Sequence, residues 1–324
     1  MYSDPKQIVN CGIVYDPILE NHHTGLGHPE GSNRASIIFQ KLKEKELLPF
    51  TKDISIKQCT FENLSLAHKP DYLRKVKKEI ESGHSSLSTG DTAICDQTWN
   101  VASAATGGIL NAVEQVVAGS LKNAFCITRP PGHHANADKG MGFCLFNHVA
   151  VAARYAQEQL GVQKILIVDW DVHHGNGTQD IFYEDDSIFF FSTHQSPWYP
   201  GTGRTEEKGT GKGLGYNLNY PFPAGSGRKE ILDYAFGAEL PKHMTGFKPE
   251  LILISAGFDS RINDPLGQFQ LEDEDFFELT KIILNLADEY ANSNVVSVLE
   301  GGYNLNGLAL SSIAHLQALL NRTF

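Results

Sequence analysis

Three features of this 324-residue sequence predict an α/β fold with a central parallel sheet covered by helices on both faces. Short runs such as Ile165-Leu-Ile-Val168, Leu251-Ile-Leu-Ile254 and Val295-Val-Ser-Val298 lack the polar alternation of a half-exposed strand, so both faces must be covered. Longer amphipathic or small-residue segments separate them, as strand–helix–strand crossovers require. Several runs also stop at His, Asp or Glu close to glycine, the pattern of strand ends that open on a site.

Gln7–Tyr15 reads as the first strand, leading into a long polar loop with His22, His23, His28 and Pro29-Glu30. Asn33 is expected to cap a helix through Leu48, with Ile37, Ile38, Leu42 and Leu47 as its apolar stripe. Pro70–Ser82 is a second amphipathic helix, with proline in its first turn and Gly83 past its end. A polar loop, Gly83 to Asp96, carries Asp91, and Trp99–Ala118 is a small-residue helix suited to close packing. Leu121–Thr128 is the next strand. It ends in Arg129-Pro-Pro-Gly-His133-His134, where prolines stiffen a turn that holds paired histidines. Gly140-Met-Gly142-Phe143-Cys144 is a turn of close backbone approach, and Phe146–Leu160 is a helix closed by Gly161.

The strand Lys164–Val168 runs into Asp169-Trp-Asp171-Val-His173-His174-Gly175. If extended geometry persists, Asp169, Asp171 and His173 share one face and Trp170, Val172 and His174 the other. Asp-x-His offers one hard oxygen and one borderline nitrogen, which suits Zn2+ when a third ligand arrives from elsewhere; in isolation the pair fits a helix cap or salt bridge as well. Thr178–Tyr183 is a short helix and Ser187–Thr193 a strand, and the aromatic, glycine-rich loop from His194 to Gly215 is expected to wall a pocket. Arg228–Thr245 is helical, and Leu251–Ser255 with Ala-Gly257-Phe258-Asp259 repeats the strand-to-carboxylate theme. A helix with an acidic first turn, Glu272 to Asp275, runs to Ala291, and Val295–Leu299 delivers Glu300-Gly-Gly-Tyr303.

At 41% hydrophobic and 20% charged, with no repeat, low-complexity tract or linker-like shift, one domain over residues 1–324 is the economical reading. A net charge of −11 argues against nucleic-acid binding and suits a cationic substrate. The five scattered cysteines, with no Cys-x-x-Cys, indicate neither a disulfide framework nor a thiolate zinc site and fit a reducing compartment. Met1 to Gln7 lacks the form of an export signal, and no apolar run approaches the roughly 20 residues that span a bilayer. A soluble, cytoplasmic chain without a membrane partner is therefore expected.

In open parallel sheets, ligands bind outside the carboxyl ends of the strands. This chain brings His133 and His134, the Asp169/Asp171/His173 set, Asp259, and Tyr303 to four such ends, the residue types of metal-assisted hydrolysis. Asp171, His173 and Asp259 would form an open three-ligand site. His133 or His134 would move the proton, and Tyr303 would donate to the oxyanion.

On Pro-Gly-His-His, Asp-Val-His-His-Gly-Asn-Gly-Thr-Gln, Ser-Ala-Gly-Phe-Asp and Glu-Gly-Gly-Tyr, in this order, the chain resembles the zinc-dependent histone deacetylase and acetylpolyamine amidohydrolase family, in its class II-like branch. The resemblance runs from His28 to Tyr303. It implies an arginase–deacetylase fold with an eight-stranded parallel sheet, and hydrolysis of the acyl group from a lysine side chain of a peptide or protein, or from an acetylpolyamine. It makes Asp171, His173 and Asp259 the ligands of one Zn2+, His134 the general base beside His133, and Tyr303 the carbonyl-polarising tyrosine. Gly142 would offer a carbonyl to the substrate amide, Phe143 and Tyr199 would wall the acyl-lysine tunnel, and Asp91 would hold the substrate backbone at the rim. Asp169 would support His133 and, with Ser192, Thr193 and the carbonyls of Asp171 and His173, bind a structural K+ or Na+. Phe182, Asp185, Ile188 and Tyr216 would form a second monovalent site.

Asn176 stands where the class I branch carries aspartate, which implies weaker electrostatic support, and a lower pKa, for His134. Ser260-Arg261 replaces the family's common Ala-His and puts a cation near the site. No polyamine-gating insertion is evident around His28 to Asn33, which weakens the polyamine reading. Two rivals remain. A two-manganese ureohydrolase would need further carboxylates where Gly175 and Arg261 stand, and a catalytically inactive acyl-lysine binding protein would not need Tyr303 and the histidines together.

Overall fold

A computed structural model describes residues 9–321. Of the expected first strand, Gln7 and Ile8 lie outside the described residues, as do Met1 to Lys6. Eight strands, β1 (Cys11–Val14), β2 (Thr51–Asp53), β3 (Asn123–Cys126), β4 (Ile165–Asp169), β5 (Ile188–Gln195), β6 (Asn217–Phe222), β7 (Leu251–Ala256) and β8 (Val295–Leu299), form one sheet. The spatial order is β2-β1-β3-β8-β7-β4-β5-β6, and every neighbouring pair is parallel. β7 and β8, last in sequence, are thus inserted at the centre. One row of the register aligns Cys126, Val298, Ser255 and Asp169, so the four strands that carry the motifs end side by side.

Successive side chains of these strands enter two separate cores. Leu166, Val168 and Trp170 pack with Phe125, Phe191 and Ile254 under the helices α1 (Arg34–Glu44), α7 (Leu240–Phe247), α8 (Asp273–Tyr290) and α9 (Leu305–Leu319). Ile165 and Ile167 face the other way, with Cys126, Phe190 and Val298, toward α3 (Pro70–Glu81), α4 (Thr98–Val117) and α5 (His148–Leu160). Burying each such side chain contributes about 1.5–3 kcal/mol, which explains why these strands read as continuous apolar runs. The short helices α2 (Phe61–Leu64) and α6 (Asn176–Phe182) complete the set used below.

The departures from expectation have local causes. The helix after Asn33 ends at Glu44, because Glu46 turns to a positive φ of 53°, and Asn33 makes no side-chain capping bond. Lys229–Glu239 winds as a wider π-type helix before α7, and the interruption coincides with Pro241, which has no N–H for the helical ladder. β2 and β6 are the sheet edges: β2 is short and polar, and β6 contains Pro221, tolerated where no outer strand needs its N–H. Helix α9 is buried on most of its surface and so lacks an amphipathic stripe. Among the described residues, no helix is long and apolar enough to cross a membrane.

Candidate active site

β4 ends at Asp169, but the alternation persists beyond it. Trp170 and Val172 enter the apolar core, and Asp169, Asp171 and His173 are buried on the other side. His173 Nδ1 lies 2.9 Å from Asp171 Oδ1 and 3.2 Å from Asp259 Oδ2. One donor atom from each of these residues falls within 4.8 Å of the others, the one such cluster among the described residues. Three of the four carboxylate oxygens accept backbone N–H bonds: Asp171 Oδ1 from His173 at 2.9 Å, Asp171 Oδ2 from Gly301 at 2.8 Å, and Asp259 Oδ1 from Val172 at 2.8 Å.

The fourth, Asp259 Oδ2, is buried without a hydrogen-bond partner. Glycines make the room: a Cβ on Gly257 would stand 2.1 Å from Asp171 Oδ2, and one on Gly301 would stand 2.0 Å from Asp259 Oδ2. Burial, then the neighbouring Asp171 charge, pushes Asp259 up to about 7. Burial alone would lower His173, but the two carboxylates raise it to about 10. An orphaned carboxylate oxygen in so negative a cradle is costly unless a cation neutralises it. Two carboxylates and one imidazole, with no fourth protein ligand, fit Zn2+ at an open site.

The paired histidines are held differently. His133 Nδ1 lies 2.9 Å from Asp169 Oδ2, and although burial opposes charge, Asp169 and Asp171 raise His133 well above its ordinary value. His134 Nδ1 lies 2.8 Å from Asn176 Oδ1, and burial, followed by its two imidazole neighbours, lowers it well below the usual range. The two imidazoles are thus shifted in opposite directions.

A cavity of about 240 Å³ opens above, lined by Asp91, His134, Gly142, Phe143, His173, Trp198, Tyr199, Leu266 and Tyr303. The Phe143 ring meets Tyr303 edge-on at 6.0 Å, and Tyr199 meets His134 edge-on at 5.1 Å. Asp91, exposed at the rim, accepts the Gly142 N–H at 2.6 Å and the Tyr199 hydroxyl at 3.5 Å. Burial keeps the Tyr303 phenol well above its ordinary pKa, hence protonated.

A histone deacetylase domain model matches residues 28–319. The chain belongs to the histone deacetylase family. It is 38% identical to the chloroplastic histone deacetylase 14 of Arabidopsis thaliana over 97% of this chain and 78% of that protein. It is 36% identical to a probable deacetylase of Archaeoglobus fulgidus over 91% and 82%, and 37% identical to human histone deacetylase 9 over 95% of this chain but 34% of that protein. The crystal structure of the HDA15 HD domain superposes with a TM-score of 0.90 at 33% identity, covering 97% of this chain and 90% of that one. The relatives are of the class II type, the fold is the arginase–deacetylase fold, and the family supports a deacetylating hydrolase.

Residues that motif reading passed over support the cluster and the cavity. Glu300, named only as part of a motif, is buried and accepts N–H bonds from Gly132 at 2.6 Å and His133 at 3.1 Å, and the Ser255 hydroxyl at 3.1 Å; burial pushes it up to about 7. Asp264 accepts from the N–H of Tyr303 at 2.7 Å and of Asn304 at 3.0 Å. Fully buried Glu30 is clamped by Arg129 at 2.6 Å and Arg34 at 3.3 Å, and Arg34 donates onward to the carbonyls of Glu300 and Gly302. Buried carboxylates and guanidinia of this kind are the available signal, since such groups survive burial only when paired. Leu266 carried no signal at all.

Arg261 follows Asp259 by two residues, and its partner lies on α8. Its guanidinium makes a two-point contact with Asp273 at 2.7 and 3.0 Å in the first turn of α8, so the cation is committed there and does not line the cavity. Among the other named residues, Ser192 Oγ bonds His194 Nδ1 at 3.0 Å, and Thr193 Oγ1 is buried without a partner. Asp169 Oδ1 accepts the Asp171 N–H at 3.1 Å. Farther away, the Phe182 carbonyl accepts from Asp185 N–H, Asp185 pairs with Arg154 at 2.6 Å, Ile188 begins β5, and the Tyr216 carbonyl accepts from Phe190 N–H.

Proposed function

We propose that this chain is a Zn2+-dependent lysine deacetylase, one catalytic domain that hydrolyses the side-chain amide of acetyl-lysine, or another acyl-lysine, in peptides and proteins. The observation that carries this reading is the cluster of Asp171, His173 and Asp259, whose His173 lines an aromatic-walled cavity together with His134 and Tyr303. Those three residues would hold the ion. When bound, Zn2+ supplies the Lewis acid that polarises the amide carbonyl and makes a water acidic enough to attack it.

The chain's own groups do the rest. His134 is neutral, and with its Nδ1–H given to Asn176 Oδ1 its Nε2 is free to take the attacking water's proton. As the carbon–oxygen bond forms and the carbon–nitrogen bond breaks, that proton passes to the departing lysine amine. The Tyr303 phenol donates to the developing oxyanion, and Asp169 orients His133 beside the base and favours its charged form. Phe143 and Tyr199 flank the lysine methylenes, the Gly142 carbonyl receives the amide N–H, and Asp91 holds the substrate backbone. Asp169, Ser192 and Thr193, with the carbonyls of Asp171 and His173, would bind a structural K+ or Na+, and Phe182, Asp185, Ile188 and Tyr216 a second.

The test is a substrate panel on zinc-loaded protein: acetyl-lysine peptide, a longer acyl-lysine peptide and an acetylpolyamine. Release of acetate from the peptide supports the proposal. Turnover of the polyamine alone would reassign the substrate, and no turnover of any, with zinc bound stoichiometrically, would leave an acyl-lysine binding protein.

A further inference from the structure

A histidine that accepts a proton at Nε2 must carry its own on Nδ1, and the group facing Nδ1 sets that choice. For His134 that group is the amide of Asn176, which is able to offer either its oxygen or its NH2. A carboxylate in the same place would have only oxygens to offer. Something else must therefore decide which way the amide turns.

The contacts beyond Asn176 supply it. Asn176 Nδ2 donates to Asn136 Oδ1 at 3.3 Å, and Asn136 Nδ2 donates to the carboxylate of Asp180. Asn176 and Asp180 are four residues apart on α6 and so share one face, and Asn136 bridges them from the turn after the paired histidines. We propose that Asp180 and Asn136 are positioning residues that fix the tautomer of His134, an inference that rests on the reading of His134 as the base. An ionised carboxylate only accepts. Asn136 must then turn its NH2 toward Asp180 and its oxygen inward, Asn176 must turn its NH2 toward Asn136, and the Asn176 oxygen is left for Nδ1–H. Further contacts of Asn176 Nδ2, to the His134 carbonyl at 3.4 Å and Met141 Sδ at 3.6 Å, favour the same orientation.

Asp180→Asn, at an exposed position, keeps the shape and removes the direction. The chain of amides then loses its fixed outer end, only the two longer contacts of Asn176 Nδ2 oppose inversion, and the inverted form puts the His134 proton on Nε2. The expected result is a fall in kcat of about tenfold or more with KM, zinc content and melting temperature unchanged, the range seen when a group orienting an active-site ligand is lost. The double variant Asp180→Asn/Asn136→Asp moves the carboxylate to the middle of the chain and keeps the direction into Asn176, so it recovers most of the lost turnover. Nitrogen-15 spectra of histidine-labelled protein, with the His134 signals assigned by their loss in His134→Gln, read the tautomer with or without zinc: Nδ1–H in the parent, a mixture in Asp180→Asn. An unchanged kcat and tautomer in Asp180→Asn, or no recovery in the double variant, overturns the proposal. If the parent protein hydrolyses nothing on the panel, the deacetylase reading has failed, and the spectra alone decide the tautomer.

Discussion

Glu300 accepts a hydrogen bond from the backbone N–H of His133 at 3.1 Å, and the same Oε2 oxygen takes the Gly132 N–H at 2.6 Å. The end of β8 is thereby tied to the turn that carries the paired histidines. Glu300→Ala leaves two buried N–H groups without an acceptor, at about 1–3 kcal/mol each. A loss of about 2–5 kcal/mol in urea unfolding is expected, with a smaller loss for Glu300→Gln. Equal stability in all three proteins would show that the contact is dispensable.

Tyr303→Phe removes one donor to the oxyanion and nothing from the carboxylate cradle. Turnover of acetyl-lysine peptide is expected to fall by roughly 10²-fold or more with zinc content unchanged. An unaltered rate would take the phenol out of the mechanism.

His133 and His134 are shifted in opposite directions and bond different partners, so their loss is not equivalent. His134→Ala removes the proton carrier and is expected to cost about 10²–10⁴-fold in kcat, and His133→Ala a different amount, because it removes a fixed charge. Equal, mild effects in single-turnover assays would mean that neither imidazole carries the proton.

Glu30, Arg34 and Arg129 tie the loop before α1 to the ends of β3 and β8. Burial pushes the Glu30 carboxyl up, but Arg129, His22 and Arg34 together hold it below the usual glutamate range. A carboxylate with a depressed folded pKa contributes stability that is complete above the unfolded value and is lost as pH falls through the folded one. Acid unfolding below about pH 4.5 should therefore be shallower in Glu30→Gln. At neutral pH the same change strands two buried guanidinia and is expected to cost about 3–5 kcal/mol. A neutral-pH stability equal to that of the parent would contradict the clamp.

How much was legible in the sequence differs between centre and edge. The central strands announce themselves because both faces are buried, and their ends were readable because four apolar runs finish in the same residue types, where one alone would fit a helix cap or salt bridge. β2 and β6 were not readable: a three-residue polar strand and a strand holding Pro221 survive only by pairing with an inner neighbour. The cluster of Asp171, His173 and Asp259 followed from motif order, and alternation along β4 accounts for the first two. Glu300, Asp264 and Arg34 act by receiving or giving backbone hydrogen bonds across more than thirty residues of chain, and no local spacing records such partners. For Arg261 the residue type was legible but its partner was not, since Asp273 lies on the next helix.

The most direct measurement is anomalous diffraction at the zinc edge from crystals of the purified protein. One peak is expected, about 2.0–2.2 Å from His173 Nδ1 and from a carboxylate oxygen each of Asp171 and Asp259. A peak elsewhere, or none in crystals of protein that still deacetylates acetyl-lysine peptide, would contradict the metal-centred account.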